Sequence, residues 1–123
     1  MIPEKIKKLL DKEKVIFFTT SSKKSIPNAV AVESCGIHND KILIADCHLG
    51  KTAKNLKENN KVAILITDNK EYYQIKGTAE YLTSGEYFDK VTKICDGTNY
   101  VAKAAVLVSC QEVYDLNTYI QLL

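Results

Sequence analysis

The segment Gly50-Lys51-Thr52-Ala53-Lys54-Asn55-Leu56 follows the apolar run Ile42-Leu43-Ile44-Ala45. The pattern predicts a strand ending at Asp46 and a short helix starting near Gly50. Such a start gathers unpaired helix amides, a lysine ammonium and a threonine hydroxyl at one spot. The positive end of the helix dipole adds to the attraction for an anion. The guest these groups suit is a phosphate, so the chain is expected to hold a phosphorylated cofactor. Gly50-Lys51-Thr52 is not a nucleotide-triphosphatase loop. That motif needs a glycine five positions before Gly50, and Ala45 stands there, inside the expected strand.

Other reactive residues are sparse. The cysteines Cys35, Cys47, Cys95 and Cys110 contain no Cys-x-x-Cys spacing, and they are expected to be reduced, several as small core residues. Cys47-His48 is the one Cys/His neighbour pair. A metal centre needs further ligands at suitable spacing, so no metal is expected. His38 and His48, the two histidines, read as solvated loop residues.

Composition bounds the rest. At 123 residues, 46% hydrophobic and 26% charged, the chain is expected to be one globular domain, residues 1–123. No apolar run approaches the ~20 residues needed to span a bilayer. The N-terminus lacks the apolar core of a secretory signal, so a cytoplasmic protein with no membrane contact is expected. All 17 basic residues are lysine. With a net charge of +2, no nucleic-acid surface is expected. Without arginine forks, any bound anion must be held by lysines, hydroxyls and amides.

The elements that must position the phosphate motif are mostly strands. Residues 3–13 read as an amphipathic helix on Ile6, Leu9 and Leu10. Strands are expected at 15–20, 26–33, 41–46, 62–66, 71–83 and from 104 through Val113-Tyr114, with both faces of 26–33 buried. Short helices are expected at 51–59 and from Glu86 to about Cys95. Gly77, inside its strand, signals a bulge or a close backbone approach. The tail from Leu116 to Leu123 is apolar enough to suggest a partner subunit. This order predicts a mainly β fold with short helices, a six-stranded Greek-key barrel. So small a barrel is filled by its own side chains, so its ligand belongs outside or at a subunit seam.

From about Ile2 to Leu116 the chain resembles the FMN-binding split barrels related to pyridoxamine 5′-phosphate oxidase, especially their small single-domain members. The likeness is carried by the leading helix, Phe17-Phe18-Thr19-Thr20, Ile26-Pro27-Asn28-Ala29-Val30, the segment Gly50 to Asn59, Tyr73-Gln74-Ile75-Lys76-Gly77-Thr78-Ala79-Glu80 and Gly85-Glu86-Tyr87-Phe88. The resemblance implies FMN at the interface of a homodimer. It assigns the FMN phosphate to Lys51, Thr52 and Asn55, and the isoalloxazine edge to the backbone of Val30, Ala31, Val32 and Glu33. Ala45 and Asp46 would flank the ribityl chain or ring, and Gln74 is a further candidate.

The resemblance implies a flavin-dependent oxidoreductase that passes electrons between a donor such as NAD(P)H and a small-molecule or protein acceptor. The alternatives are a non-enzymatic FMN carrier or electron-transfer protein, and a deazaflavin- or haem-binding relative. Two departures separate the chain from pyridoxamine phosphate oxidases proper. Those enzymes place an arginine on the second strand, where Val30 stands here. They also carry an Arg/His substrate segment near the C-terminus, and nothing like it follows Cys110.

Overall fold

A computed structural model describes residues 1–10 and 14–123. The elements run α1 (Glu4–Leu9), β1 (Val15–Ser21), β2 (Pro27–Glu33), β3 (Ile37–His38), β4 (Lys41–Asp46), α2 (Lys51–Glu58), β5 (Lys61–Asp68), β6 (Glu71–Leu82), α3 (Glu86–Cys95), β7 (Ala104–Asp115) and β8 (Ile120–Gln121). Residues 11–13 of the expected first helix lie outside the described residues.

The fold is mainly β with short helices, but the expected count of six strands is corrected to eight among the described residues. The two additional strands, β3 and β8, are two residues each, too short to leave a period-2 signature. The order is β2-β1-β5-β6-β7-β4-β3, with β8 on β7. Every pairing is antiparallel. No pairing among the described residues joins β2 to β3, so the sheet is open rather than a closed barrel.

Alternation in the strands builds the core. Ile16 and Phe18 of β1, Ile64 and Ile66 of β5, Tyr73 and Ile75 of β6, Val106 and Val108 of β7, and Ile42 and Ile44 of β4 share one buried cluster with Ile6 of α1 and Leu56 of α2. Strands β1 and β4 are four places apart in the sheet. Their side chains reach the same cluster only because the sheet curves around it, as twisted antiparallel sheets do. A second, smaller cluster lies on the opposite face of β4 and β7, where Leu43, Ala105 and Leu107 pack with Val91 of α3.

Strand β2 departs from the expectation that both its faces are buried. It pairs with β1 alone, and its residues alternate between exposed and half-buried. Val30 and Val32 lean on the core, while Ala29, Ala31 and Glu33 are exposed. One edge of β2 is left unpaired among the described residues, and no second layer among them covers its outward face, where Ala29, Ala31 and Glu33 stand. The apolar tail folds back instead of hanging free: β8 pairs with the end of β7, and Leu123 packs on the core.

Gly77 shows both features its position signalled. The β6–β7 register shifts between Lys76 and Gly77, and a Cβ on Gly77 would lie 2.0 Å from the Ser109 carbonyl oxygen. That neighbour is backbone in the longest strand pair and cannot step aside. Gly77→Ala is therefore expected to lower unfolding stability by at least about 1–3 kcal/mol, the range for overpacking. Urea denaturation of the variant against the parent measures it; an unchanged midpoint would refute the close approach.

Candidate functional site

The site begins at the end of β4. Asp46 is 2% exposed, and both of its carboxylate oxygens are taken. Oδ1 accepts the Leu49 amide at 2.9 Å, and Oδ2 accepts the Tyr81 hydroxyl. Its backbone carbonyl accepts the Lys103 amide at 2.7 Å. The aspartate thus closes the turn that delivers the chain to Gly50. Gly50 has φ +52° and ψ −110°, a conformation that side chains with a Cβ resist. Nothing lies within 4 Å of where a Cβ would be, so backbone geometry, rather than space, calls for glycine here.

The first turn of α2 carries no side-chain cap. The Thr52 amide bonds to the Leu49 carbonyl at 3.0 Å, and the Lys54 amide to the Gly50 carbonyl at 3.1 Å. Among the described residues, the amides of Lys51 and Ala53 find no acceptor. The helix is seated by side-chain hydrogen bonds to the β1–β2 hairpin. Asn55 Nδ2 donates to Thr20 Oγ1 at 3.0 Å, Asn59 Nδ2 to Ser21 Oγ at 3.1 Å, and Asn28 Nδ2 to Thr52 Oγ1 at 3.0 Å. The Lys23 amide donates to Glu58 Oε2 at 3.0 Å.

Between this helix and the hairpin turn lies a cleft of about 320 Å³. Lys23 and Lys24 line it from the turn, Asn28 from β2, and Lys51, Lys54 and Asn55 from α2. Among the described residues, Glu58 is the one acidic residue that lines it. Among the described residues none of these four lysines forms an ion pair. Four lysines and two amide side chains line one cleft, with the free Lys51 amide at its helix start, a set that suits an anion by its chemistry. The volume is at the small end of ligand cavities, enough for a phosphate and the chain attached to it.

Of the residues singled out from the sequence, Lys51, Thr52 and Asn55 meet at this cleft or directly beneath it. Thr52 is fully buried, with its oxygen accepting from Asn28. Val30 and Val32 follow Asn28 on the core-facing side of β2. Ala31 and Gln74 share the opposite, outward face. The register runs Ala31, Phe17, Leu65, Gln74 across β2, β1, β5 and β6, about 14 Å at ~4.8 Å per strand. Glu33 ends the same face on β2, opposite Val15. Ala45 and Asp46 point to opposite sides of β4: Ala45 packs toward α3, and Asp46 is committed to Tyr81 and Leu49.

Sequence reasoning did not single out Asn28, Lys23, Lys24 or Lys54 as site residues. The signal at Asn28 is an amide in an otherwise apolar strand. The Lys23-Lys24 pair in a polar turn looks like any solvated turn until the hairpin folds over α2. His38, half-buried in β3, has its Nε2 at 3.0 Å from the Cys35 carbonyl. His48 is exposed and edge-on to Tyr100. Neither lines the cleft. Among the described residues no cluster could hold a metal ion, and no helix is long and apolar enough to cross a membrane.

Residues 2–114 match the pyridoxamine 5′-phosphate oxidase family. The chain belongs to that family, the one its motifs resemble. An uncharacterised protein of Methanocaldococcus jannaschii is 36% identical over 124 residues, covering 95% of this chain and 82% of that protein. Among solved structures, HupZ of group A Streptococcus superposes with a TM-score of 0.85 at 24% identity, covering 97% of each chain. An FMN-binding protein of Syntrophomonas wolfei superposes with a TM-score of 0.77 at 24% identity, covering 98% of this chain and 85% of that one. HutZ, the haem storage protein of Vibrio cholerae, superposes with a TM-score of 0.70 at 11% identity, covering 91% and 92%. At these identities the structural likeness is one of fold.

The Asp46–Tyr81 contact has a pH signature. Burial, and then the neighbouring carboxylate, push the Tyr81 hydroxyl up to about 12, against about 10 for a free tyrosine. The folded state therefore prefers the protonated phenol. The stability this contributes is complete below pH ~10 and is lost as pH rises toward ~12. Tyr81→Phe leaves one Asp46 oxygen without its donor and is expected to cost about 1–3 kcal/mol at neutral pH. Denaturation midpoints of parent and variant should converge across that alkaline range; a constant gap would refute the assignment.

Proposed function

We propose that this chain binds FMN, with the phosphate in the lysine cleft at the start of α2. The observation that carries the proposal is the convergence of Lys23, Lys24, Lys51 and Lys54 on that cleft at the start of α2, where the Lys51 amide is unpaired. Family membership supports flavin as the guest. The free edge of β2 runs from Asn28, at the cleft, toward Glu33. It offers backbone donors and acceptors along the path a ring attached to that phosphate would take. Neither histidine lines the cleft, which favours a flavin over haem there.

FMN, when bound, supplies hydride and single-electron chemistry that side chains cannot perform. The chain's own residues bind and orient. Lysine ammonium groups neutralise the phosphate, the buried Asn28–Thr52 hydrogen bond braces the start of α2 against β2, and Gly50 aims the helix amides. No group in the cleft is placed as an acid, base or nucleophile. Glu58 already accepts the Lys23 amide. The reading is therefore an FMN-dependent oxidoreductase that moves electrons between a donor such as NAD(P)H and a small-molecule or protein acceptor. Anaerobic mixing of the FMN-loaded chain with NADH and NADPH tests it. Bleaching of the flavin absorbance is expected, and no bleaching with either donor would leave the carrier reading in its place.

The outward face points to a homodimer in which a second copy covers the ring. Phe17 is 42% and Leu65 37% exposed, adjacent in register and flanked by Val15, Ala29, Ala31 and Ala63. A mostly apolar face of this kind, broken by Thr19 between Ala29 and Ala63, marks an interface. Light scattering is expected to report about twice the 13.8 kDa chain mass, and Phe17→Asp to shift it toward the monomer. A monomeric parent that retains FMN would refute the dimer.

Titration with FMN, FAD and riboflavin tests the phosphate assignment. FMN is expected to bind most tightly. Lys51→Ala removes a charge-assisted bond worth roughly 1.5–3 kcal/mol, and Thr52→Ala adds the loss of the Asn28 brace beneath it, so in the double variant its affinity should fall by about ten-fold or more. Riboflavin binding as tightly as FMN would overturn the assignment.

The chain is not expected to oxidise pyridoxamine phosphate. A second phosphate, on the substrate, calls for the planar bidentate fork of arginine, and all 17 basic residues here are lysine. Following pyridoxal phosphate formation by the FMN-loaded protein in air checks this. Sustained turnover near ~1 per second would reverse it.

A further inference from the structure

The end of α3 meets the loop that follows β4 through two sulfur atoms. Cys47 lies in that loop and Cys95 is the last residue of α3, and their Sγ atoms are 3.9 Å apart. Both side chains are partly exposed, whereas Cys35 is buried. We propose that Cys47 and Cys95 form a dithiol–disulfide site that takes a small disulfide as its oxidant and links the β4–α2 loop to α3.

The geometry carries this without rearrangement of the fold. A disulfide bond is about 2.05 Å long, so the sulfurs must approach by about 2 Å. Neither residue is held inside the sheet. Cys47 sits in an irregular bend, and Cys95 precedes the Asp96-Gly97 turn, where Gly97 has φ +79°. Side-chain rotation with a small shift of either segment closes the gap. The partners are 48 residues apart in sequence, so the contact exists only in the folded chain. Cys110 has no such sulfur neighbour among the described residues.

The chemistry balances as two exchange steps. One protein thiol loses its proton and attacks the S–S bond of the oxidant, forming a mixed disulfide and expelling one thiolate. The second protein thiol loses its proton and attacks the protein sulfur of that mixed disulfide, expelling the second thiolate. Two protein thiols are oxidised, and one small disulfide is reduced to two thiols. Burial, with Cys95 alongside, pushes the Cys47 thiol up to about 11. The site is therefore quiet at neutral pH and speeds up as pH rises.

The experiment uses the folded parent chain freed of reductant. It is incubated with oxidised glutathione at mildly alkaline pH, quenched with an alkylating agent and mapped by mass spectrometry without reduction. The expected result is a Cys47–Cys95 cross-linked peptide within one chain, with Cys35 and Cys110 alkylated. Dithiothreitol should restore all four alkylatable thiols, and Cys47→Ser and Cys95→Ser should each abolish the cross-link. The proposal is overturned by four alkylatable thiols after oxidation, by glutathione adducts on either residue with no cross-link, or by bonds through Cys35, Cys110 or another chain. The parent alone decides the matter if a variant fails to fold.

Discussion

The candidate site depends on one buried carboxylate. Asp46 is almost free of water, and such a group is tolerated only when its oxygens are satisfied. Here one donor is distant in sequence, Tyr81 on β6, and the other local, the Leu49 amide three residues on. Each fixes something the site needs. Tyr81 ties the end of β4 to the middle of the sheet, and Leu49 sets the turn whose next residue is Gly50. The direction of α2, and so of its unpaired amides, follows from that carboxylate. Lys57 lies over the Tyr81 ring, 4.9 Å from its centre, so the same anchor also braces the back of the helix.

The curved sheet separates three environments that a linear reading runs together. Its inner face is a dry core that spans β1 to β4. Its β2 end, with α2, opens into the lysine cleft. Its outer face leaves Phe17 and Leu65 in water. Successive residues of one strand therefore serve different purposes. On β2, Asn28 reaches α2 and Val30 supports the core, while Ala31 belongs to the outward row that ends at Gln74. The absence of arginine is consistent with this layout. In the proposed site, ammonium groups on flexible stems would hold the anion from several sides, while orientation would come from the fixed start of α2, braced by the Asn28–Thr52 pair.

Much of this was legible in the residues. The alternation of β6 and the β-branched run of β5 led to the right elements, as did the Gly85-Glu86 start of α3. Gly77 announced a bulge and a close approach, and both are present. The strand count failed where strands shrink to two residues, because two residues define no period. The burial of β2 failed because small apolar residues such as Ala29 and Ala31 do not distinguish a central strand from an edge covered by something else.

The sequence by itself determined local matters: the strands, the helix starts, the lack of arginine, the Gly50-Lys51-Thr52 segment and the family to which they belong. These depend on neighbours a few residues apart, where periodicity and backbone preference act. Tertiary structure decided which of those residues share a place. Lys23 and Lys24 enter the cleft because the β1–β2 hairpin folds over α2, about 30 positions along the chain. Asp46 is drawn inward because Tyr81, 35 positions on, satisfies the oxygen that the local Leu49 amide leaves open. Cys47 meets Cys95 because α3 packs against β4. Long-range contacts of this kind are set by the path of the chain around a common core, and no local pattern encodes that path.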